Sequence, residues 1–341
     1  MCRNKLFDDF ERVMSKTVRL MPSEIEFIVN AGQTILEAAL SNNINLEYSC
    51  SNGRCGQCKA ELIDGSIDQS VKVVGVELLP NQILTCCATP EDNLILKAQY
   101  YPQLSEIERK TIPSKVDDIV FVNEDVMCVT LRLPATANFQ FLPGQYIDLN
   151  WGGNKRSYSI ASSCVHEHKL ELHIKKVEGG LFSEFFFNEL KKNKLFRFYG
   201  PLGTFFLRDS DGPLILLCTG SGFAPVKSMV ESLIESGSTR SIYIYWGGRL
   251  LSDLYSDLPF AWSELYDNIQ FIPVLSREEN MQENFEAGYV QQAVMKQHEN
   301  LKEFEVYACG SEQMIYSARQ KMIENGLKTN NFYSDAFVPS N

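Results

Sequence analysis

The fold of the first domain is decided by the stretch Cys50-Ser-Asn-Gly-Arg-Cys55-Gly-Gln-Cys58, which Cys86 follows after 27 further residues. This C-x4-C-x2-C spacing with a distant fourth cysteine is typical of thiolate ligands around a [2Fe–2S] cluster. A tight loop supplies three of the thiolates and a separate segment supplies the fourth. Gly53 and Gly56 can take the positive φ angles that such a loop needs. The sequence therefore predicts an iron–sulfur cluster.

Two other uses of the cysteines fit the spacing less well. A structural zinc site usually has two C-x2-C pairs, and this chain has only the pair at Cys55 and Cys58. Disulfides are typical of secreted proteins, and the N-terminus shows no apolar signal core. The fourth ligand is ambiguous, because Cys86 and Cys87 are adjacent. In an extended segment their side chains would point to opposite faces, so only one of them would reach the cluster.

The composition is that of an ordinary globular chain, with 341 residues, 44% hydrophobic and 22% charged, a length that fits two or three domains. The formal net charge of −11 argues against nucleic acid and against an anionic membrane surface as partners. No apolar run approaches the length that crosses a bilayer. The other cysteines form no disulfide framework, and we expect a cytoplasmic protein. They are Cys2, Cys87, Cys128, Cys164, Cys218 and Cys309.

Three domains are predicted from the apolar patterns. Alternation at Glu24–Val29 and a helical pattern after the N-cap candidate Thr34 are typical of a small α+β, β-grasp-like domain. Short alternating strands then predict an antiparallel β-barrel with one helix. Continuous apolar strands such as Leu214–Cys218 alternate with helical patterns, which predicts an α/β domain with a parallel sheet. The expected boundaries are 1–13 for a tail or a misplaced start, 14–100 for the α+β domain, 101–112 for a linker, 113–207 for the barrel and 208–341 for the α/β domain.

Two motifs in the barrel block combine a cation, aromatic rings and glycines. In Arg156-Ser-Tyr158-Ser159 a guanidinium stands beside a ring on one face of a strand, which suits a ligand with phosphates and a flat ring system. An exposed Arg and Tyr on a barrel face would give the same pattern. In Glu178-Gly-Gly180-Leu-Phe-Ser183 a glycine turn enters a helix whose first N–H groups could bind phosphate. A simple strand-to-helix turn is the alternative.

Two further motifs follow predicted parallel strands, at the sheet edge where open α/β folds bind their ligands. Thr219-Gly220-Ser221-Gly222-Phe-Ala-Pro225 links a buried strand to a helix, which is the context of a dinucleotide-binding loop, although it is not a full G-x-G-x-x-G. Cys309-Gly310-Ser311 follows another such strand. A buried structural cysteine is the alternative there.

In this order the motifs resemble those of the ferredoxin–NAD(P)+ reductase superfamily, and with the cysteine loop in front the chain is similar to reductase components of multicomponent bacterial enzymes. The resemblance begins at about Met14. It implies FAD and a nicotinamide dinucleotide as cofactors beside the cluster, and Ser159 and Cys309 as catalytic residues. The implied cluster ligands are Cys50, Cys55, Cys58 and Cys86. The implied FAD residues are Arg156, Gly180 and Ser183 on the phosphates, Tyr158 and Phe337 on the flavin ring and Ser159 near flavin N5. The implied dinucleotide residues are Gly220, Ser221, Gly222, Pro225 and Gly310, with Cys309 at the hydride-transfer position.

A closer likeness within the superfamily is to the reductases of 3,6-dideoxyhexose synthesis. It implies electron transfer from NADH through FAD and the cluster to a pyridoxamine-phosphate-dependent iron–sulfur dehydrase of a CDP-linked sugar. The reductase of an aromatic-ring oxygenase is an alternative, with an oxygenase component as its partner. A flavin reductase would not need the cysteines, and an iron–sulfur sensor would not need the Arg156 and Gly220 motifs. The segments that carry the likeness are Leu46–Cys50, Ile83–Cys87, Gly144–Asp148, Gly222–Met229, Val306–Ser311 and Phe332–Ser340.

Two features depart from the pattern of the family. Thr219 stands where the family commonly has glycine, which is expected to cost backbone freedom. The pair Ser276-Arg277 resembles the phosphate-binding pair of NADPH-using relatives. Acidic residues follow it at Glu278, Glu279 and Glu283, and they would repel a 2′-phosphate. NADH is therefore predicted as the electron donor in preference to NADPH.

Overall fold

The computed structural model describes residues 15–69, 77–164, 166, 168–279 and 281–337, so the predicted tail at 1–13 lies outside the described residues. The chain divides into two compact units, Met1–Glu108 and Arg109–Asn341. The first contains the predicted α+β domain. The second contains both the barrel and the parallel sheet.

The first unit is a mixed sheet of five strands with one helix. The sheet order is β2-β1-β7-β3-β5, in which β1 and β7 are parallel and the other pairs are antiparallel, while β4 pairs separately with β6. The elements are β1 (Lys16–Met21), β2 (Glu26–Val29), α1 (Ile35–Ser41), β3 (Lys59–Asp64), β4 (Ile67–Asp68), β5 (Gln82–Leu84), β6 (Thr89–Pro90) and β7 (Leu94–Lys97).

Helix α1 is fixed at its start by the predicted N-cap. The Thr34 hydroxyl accepts a hydrogen bond from the Glu37 N–H at 3.2 Å, and the Glu37 carboxylate accepts one from the Thr34 N–H at 2.9 Å. The helix also contacts the segment after β5, because the Leu36 N–H donates to the Thr85 carbonyl at 2.9 Å. This contact holds in place the turn that carries Cys86.

The second unit begins with a six-stranded antiparallel sheet in the order β11-β10-β13-β8-β9-β12. Strand β8 starts inside the segment 101–112 that was predicted to be a linker, because Lys110 and Thr111 pair with Gly200 and Tyr199. A 3-10 helix at Pro102–Glu106 precedes it. The elements are β8 (Lys110–Phe121), β9 (Val126–Arg132), β10 (Tyr146–Trp151), β11 (Asn154–Ser159), β12 (Lys169–Lys175), α2 (Leu181–Glu189) and β13 (Leu195–Leu202).

The two ends of this sheet approach each other and give it a barrel-like shape. Ile160, just after β11, forms a bridge to Leu172 of β12, and the Ala161 N–H donates to the Glu171 carbonyl at 2.9 Å. The interior is apolar, and α2 adds Phe182 to it together with its other buried rings. The alternating strand pattern in the sequence has this origin, since every second side chain enters the interior.

The remaining strands form one parallel sheet in the order β17-β16-β15-β14-β18-β19. The three sheets and their helices confirm the α+β, barrel and α/β classes that were predicted from the sequence. None of the described helices is long and apolar enough to cross a bilayer. The elements are β14 (Leu214–Thr219), a 3-10 turn (Gly220–Gly222), α3 (Phe223–Glu235), β15 (Ile242–Gly248), a 3-10 turn (Leu251–Asp253), α4 (Leu258–Leu265), β16 (Ile269–Leu275), β17 (Glu286–Ala287), α5 (Val290–Gln297), β18 (Glu305–Gly310), α6 (Glu312–Glu324), a 3-10 turn (Thr329–Asn331) and β19 (Phe332–Ala336).

Candidate functional site

The cysteine loop turns tightly between α1 and β3. Ser51, Gly53 and Gly56 have φ angles of 55°, 78° and 71°, in the left-handed region that glycine enters without strain. Gly53 also has no room for a side chain, because a Cβ there would lie 2.7 Å from Cys87 Sγ. The backbone of the loop can therefore pass close to the cysteine sulfurs, as it does at Cys87 Sγ.

Four thiols of the predicted ligand set meet here as two pairs. The Cys55 N–H donates to Cys50 Sγ at 3.4 Å, and Cys58 Sγ lies 3.1 Å from Cys86 Sγ. Hydrogen bonding from the Cys55 thiol lowers the pKa of Cys50 to about 5, and the Cys86 thiol lowers the pKa of Cys58 in the same way. Each pair thus favours one thiolate, the form that binds iron. Two pairs of thiols fit a [2Fe–2S] cluster, in which each iron takes two cysteine sulfurs.

Cys86 and Cys87 lie in a turn, and the expectation that an extended segment separates their side chains is wrong. The N–H groups of Cys87 and Ala88 both donate to the Leu84 carbonyl at 2.9 Å, so the chain bends directly after β5. The two sulfurs are consequently 3.5 Å apart, and both residues are buried. The approach of Cys86 Sγ to Cys58 Sγ supports Cys86 as the fourth ligand.

The predicted flavin-binding residues of the barrel lie on β11. The Arg156 guanidinium is 5.6 Å from the centre of the Phe182 ring, and the Tyr158 ring is 6.1 Å from the Phe186 ring. Burial raises the pKa of Tyr158, so its phenol stays neutral. Ser159 is buried at the end of the strand. The two phenylalanines belong to α2, so the strand and the start of that helix form one region with a cation, a ring and a hydroxyl.

Helix α2 has Gly180 as its N-cap, and no side chain caps its start. Its first N–H groups have no partner within the helix and point toward the side from which an anion can approach. The Ser183 hydroxyl turns back instead, since it lies 2.6 Å from the Val177 carbonyl and 3.0 Å from the Gly180 carbonyl. The turn therefore fits a phosphate through its backbone, and the Ser183 side chain stabilises the turn.

The predicted dinucleotide loop is the 3-10 turn between β14 and α3. Gly220 has a φ of 53°, and a Cβ on Gly222 would lie 2.5 Å from the Cys309 carbonyl oxygen. The buried Cys309 thiol donates to the Gly222 carbonyl at 2.8 Å, and burial raises the pKa of this thiol. Ser221 lies in the turn, and Pro225 is buried in the first turn of α3. The loop thus presents backbone and a helix start to a dinucleotide.

Thr219 joins this loop to the end of β18, a role that the sequence did not reveal. Its φ of −135° is extended, so the expected cost in backbone freedom is absent. Its hydroxyl accepts a hydrogen bond from the Ser311 N–H at 3.3 Å, and a Cβ on Gly310 would lie 2.4 Å from that hydroxyl. The Phe337 N–H donates to the Gly310 carbonyl at 2.8 Å. The structure thus brings Cys309, Gly310 and Phe337 together with the dinucleotide loop.

Lys175 brings a cation from the barrel to the same loop. It ends β12, and its Nζ would lie 3.5 Å from a Cβ placed on Gly220. A positive charge there suits the pyrophosphate of a dinucleotide. The pair Lys175-Lys176 was visible in the sequence, but only the fold shows that Lys175 points to the loop.

A cluster of ionisable side chains connects α3 to the barrel, and we call it the α3 seam. In it Lys227 and His173 are buried, and Glu171 and Glu231 are half-buried. Lys227 lies 3.2 Å from the Glu171 carboxylate and 3.0 Å from that of Glu231. His173 contacts Glu171 through Nε2 at 2.7 Å and the Tyr255 hydroxyl through Nδ1 at 2.9 Å. Burial acts to raise the pKa of Glu171, but the hydrogen bond of His173 and the charge of Lys227 outweigh it and lower this pKa to about 2. The seam fixes the helix that begins at the dinucleotide loop against the barrel.

Comparison with known proteins identifies these regions. A 2Fe-2S iron-sulfur cluster binding domain model matches residues 18–91, an oxidoreductase FAD-binding domain model matches 113–207 and an oxidoreductase NAD-binding domain model matches 216–320. The CDP-6-deoxy-L-threo-D-glycero-4-hexulose-3-dehydrase reductase of Yersinia pseudotuberculosis is 47% identical, over 96% of this chain and 100% of that protein. The chain belongs to the iron–sulfur flavoprotein reductases of the ferredoxin–NAD(P)+ reductase superfamily. Reductase component 1 of terephthalate 1,2-dioxygenase from Comamonas sp is 32% identical, over 96% of this chain and 98% of its own.

Solved structures agree with the fold of this reductase. The Amycolatopsis cytochrome P450 reductase GcoB has a TM-score of 0.76 at 24% identity, with 95% of this chain and 99% of that chain covered. The three matching domains and the 47% identical relative show that the protein is an NAD(P)H-dependent electron-transfer oxidoreductase, and the domains confirm the predicted [2Fe–2S], FAD and NAD(H) cofactors.

Proposed function

We propose that this reductase delivers electrons from NADH to a pyridoxamine-phosphate-dependent iron–sulfur dehydrase that removes the C3 hydroxyl of a CDP-linked 4-keto-6-deoxy sugar. The observation that carries the proposal is the 47% identity, over nearly the whole of both chains, to a reductase named for such a dehydrase. We also propose that it acts in the cytoplasm, which is supported by the absence of disulfides among the described cysteines.

When bound, FAD would supply the capacity to accept a hydride from NADH and to release single electrons, and the cluster would supply a one-electron relay. The residues of the chain hold and orient these groups. In our proposal Arg156 and the first N–H groups of α2 bind the FAD pyrophosphate, and Tyr158 packs on the flavin ring. The Ser159 hydroxyl hydrogen-bonds near flavin N5, and the neutral Cys309 thiol orients the loop that holds the nicotinamide. The proposed iron ligands are Cys50, Cys55, Cys58 and Cys86.

The first expected result concerns the purified protein and its partner. It should be red-brown and contain about one FAD and one [2Fe–2S] cluster per chain, measured as flavin, iron and acid-labile sulfide. With NADH, the dehydrase and the CDP-linked sugar it should yield the 3-deoxy product. Zinc without acid-labile sulfide would contradict the cluster assignment, and a loaded reductase that gives no product would contradict the assignment of the partner.

The alternative partner is the oxygenase component of an aromatic-ring dioxygenase. It is favoured by the full-length similarity to the terephthalate dioxygenase reductase, although the identity there is only 32%. Titrating the same reductase with a dehydrase and with a ring dioxygenase, and recording NADH consumed per product formed, separates the two. If less NADH were consumed per product with the dioxygenase than with the dehydrase, the proposed partner would be refuted, and the cofactor assignments would be unchanged.

A second expected result is faster flavin reduction by NADH than by NADPH. Glu278 is held near the loop after β15, because its carboxylate accepts a hydrogen bond from the Leu251 N–H at 3.1 Å. Arg277 is attached to the same loop, since its N–H donates to the Arg249 carbonyl at 2.8 Å. A 2′-phosphate bound there would meet the fixed carboxylate. Stopped-flow measurement gives the rate of flavin reduction with each donor. Glu278→Gln should lower the ratio of the NADH rate to the NADPH rate. Tighter and faster reduction by NADPH would show that Arg277 dominates.

A further inference from the structure

Five thiols rather than four converge on the cysteine loop. Cys50 and Cys55 form one pair, and Cys58 and Cys86 form the other. The fifth is Cys87, whose Sγ lies 3.5 Å from Cys86 Sγ. Cys87 is as deeply buried as the proposed ligands beside it, at 4% exposure against 9% for Cys86 and 3% for Cys58. It is therefore a buried thiol at the cluster site with no ligand role in the proposed set.

The backbone directs Cys87 into the loop. The turn after β5 places its side chain on the same side as that of Cys86, because both Cys87 and Ala88 donate to the Leu84 carbonyl. Its sulfur faces Gly53, where any Cβ would be only 2.7 Å away. Gly53 lies between Cys50 and Cys55 in the loop that surrounds the cluster. The absence of a side chain at position 53 leaves the space that the Cys87 sulfur occupies.

We propose that Cys87 is a reserve ligand that can replace Cys86 on the iron shared with Cys58. The inference rests on the cluster assignment made above. The exchange is redox-neutral: one iron–sulfur bond to Cys86 breaks and one to Cys87 forms, while the proton that leaves Cys87 is balanced by one that Cys86 takes up. A sulfur 3.5 Å from the one it replaces needs only a small adjustment of the turn, whereas a ligand from elsewhere in the fold would need the sheet to rearrange.

The test compares Cys86→Ala, Cys87→Ala and the double variant Cys86→Ala/Cys87→Ala with the wild type. Iron, acid-labile sulfide and the visible spectrum report the cluster, electron paramagnetic resonance of the reduced protein reports its ligands, and bound FAD reports folding of the second unit. Cys86→Ala should keep iron and sulfide close to wild type with shifted resonance g values. Cys87→Ala should keep the wild-type spectrum through Cys86. The double variant should lose iron and sulfide but retain FAD.

Three outcomes would overturn the proposal. The first is loss of the cluster from both Cys86→Ala and the milder Cys86→Ser, because a reserve ligand must allow assembly without Cys86. The second is a cluster that survives in the double variant, which would mean that neither thiol is needed. The third is a wild-type protein without iron and sulfide, which would refute the cluster assignment itself and is distinguished from the other two by the wild-type sample alone.

Discussion

Cys58→Ser is expected to empty the cluster site while the flavin half of the molecule keeps working. Serine oxygen is a poor replacement for thiolate on iron–sulfur clusters, which select soft ligands. Without Cys58, the iron that it would share with Cys86 would depend on the sulfurs of two adjacent residues, Cys86 and Cys87, for its protein ligands. Reduction of cytochrome c or of the dehydrase by NADH should fall by more than about 100-fold, since loss of a direct ligand exceeds the roughly 10–100-fold effect of outer-shell changes.

The same variant should still oxidise NADH with a dye that takes electrons from flavin. The proposed flavin and nicotinamide residues lie in Arg109–Asn341, a separate compact unit with its own core. Cys164→Ser is the control, because Cys164 is an exposed cysteine outside the motifs. If Cys58→Ser reduced the partner at the wild-type rate, electrons would leave from the flavin directly, and the order from NADH through FAD and cluster to partner would be wrong.

Cys309→Ala is expected to give the opposite result, with an intact cluster and slow reduction of the flavin by NADH. The thiol donates to the Gly222 carbonyl at 2.8 Å inside a fully buried site. Its removal takes one hydrogen bond from that carbonyl, at a cost of roughly 0.5–1.5 kcal/mol. If this cost appears in the hydride-transfer step, the rate of flavin reduction falls by about twofold to tenfold. Stopped-flow bleaching of the flavin measures the rate, and the visible spectrum confirms that the cluster is present.

Cys218→Ala is the matched control for this change. Cys218 is also fully buried, and it pairs directly with Cys309 in the register of β14 and β18. Both alanine variants lose a sulfur from the same sheet, but only Cys309 donates to the loop at Gly222. Flavin reduction should therefore be slower in Cys309→Ala than in Cys218→Ala. Equal slowing in both variants would attribute the effect to lost packing in the sheet and would remove Cys309 from the site.

Local patterns in the sequence were sufficient for the fold and for most of the proposed site. The run Leu214–Cys218 is the core of β14, and the single helix predicted for the barrel appears as Leu181–Glu189. Such patterns can be read from the sequence because each depends only on which face of a single strand or helix is buried. The cysteine spacing is similarly local, since one loop supplies three of the four predicted ligands.

The parts that the sequence did not predict depend on individual hydrogen bonds and ion pairs, which leave no trace in the pattern of apolar residues. The position of Cys87 follows from two hydrogen bonds to the Leu84 carbonyl, which bend the chain directly after β5. In the sequence Lys227 looks like an ordinary surface residue of a helix, yet in the structure it is only 8% exposed. It packs against the barrel, where its ammonium contacts Glu171, a residue 56 positions earlier in the chain. Thr219 was predicted to cost backbone freedom, but its extended φ of −135° avoids this cost, and its hydroxyl accepts a hydrogen bond from the distant Ser311 N–H.

The α3 seam limits how such reductases can be recombined into chimeras. A parallel-sheet domain transplanted onto a foreign barrel would bring Lys227 but leave behind Glu171 and His173 of β12. The ammonium would keep Glu231 of its own helix but lose Glu171, one of the two carboxylates that it contacts. Because breaking a buried ion pair is strongly destabilising, the graft would dock less stably on the foreign barrel. The exchangeable module is therefore the dinucleotide domain together with the facing residues of β12, and a crossover placed at the boundary between the two folds would divide it.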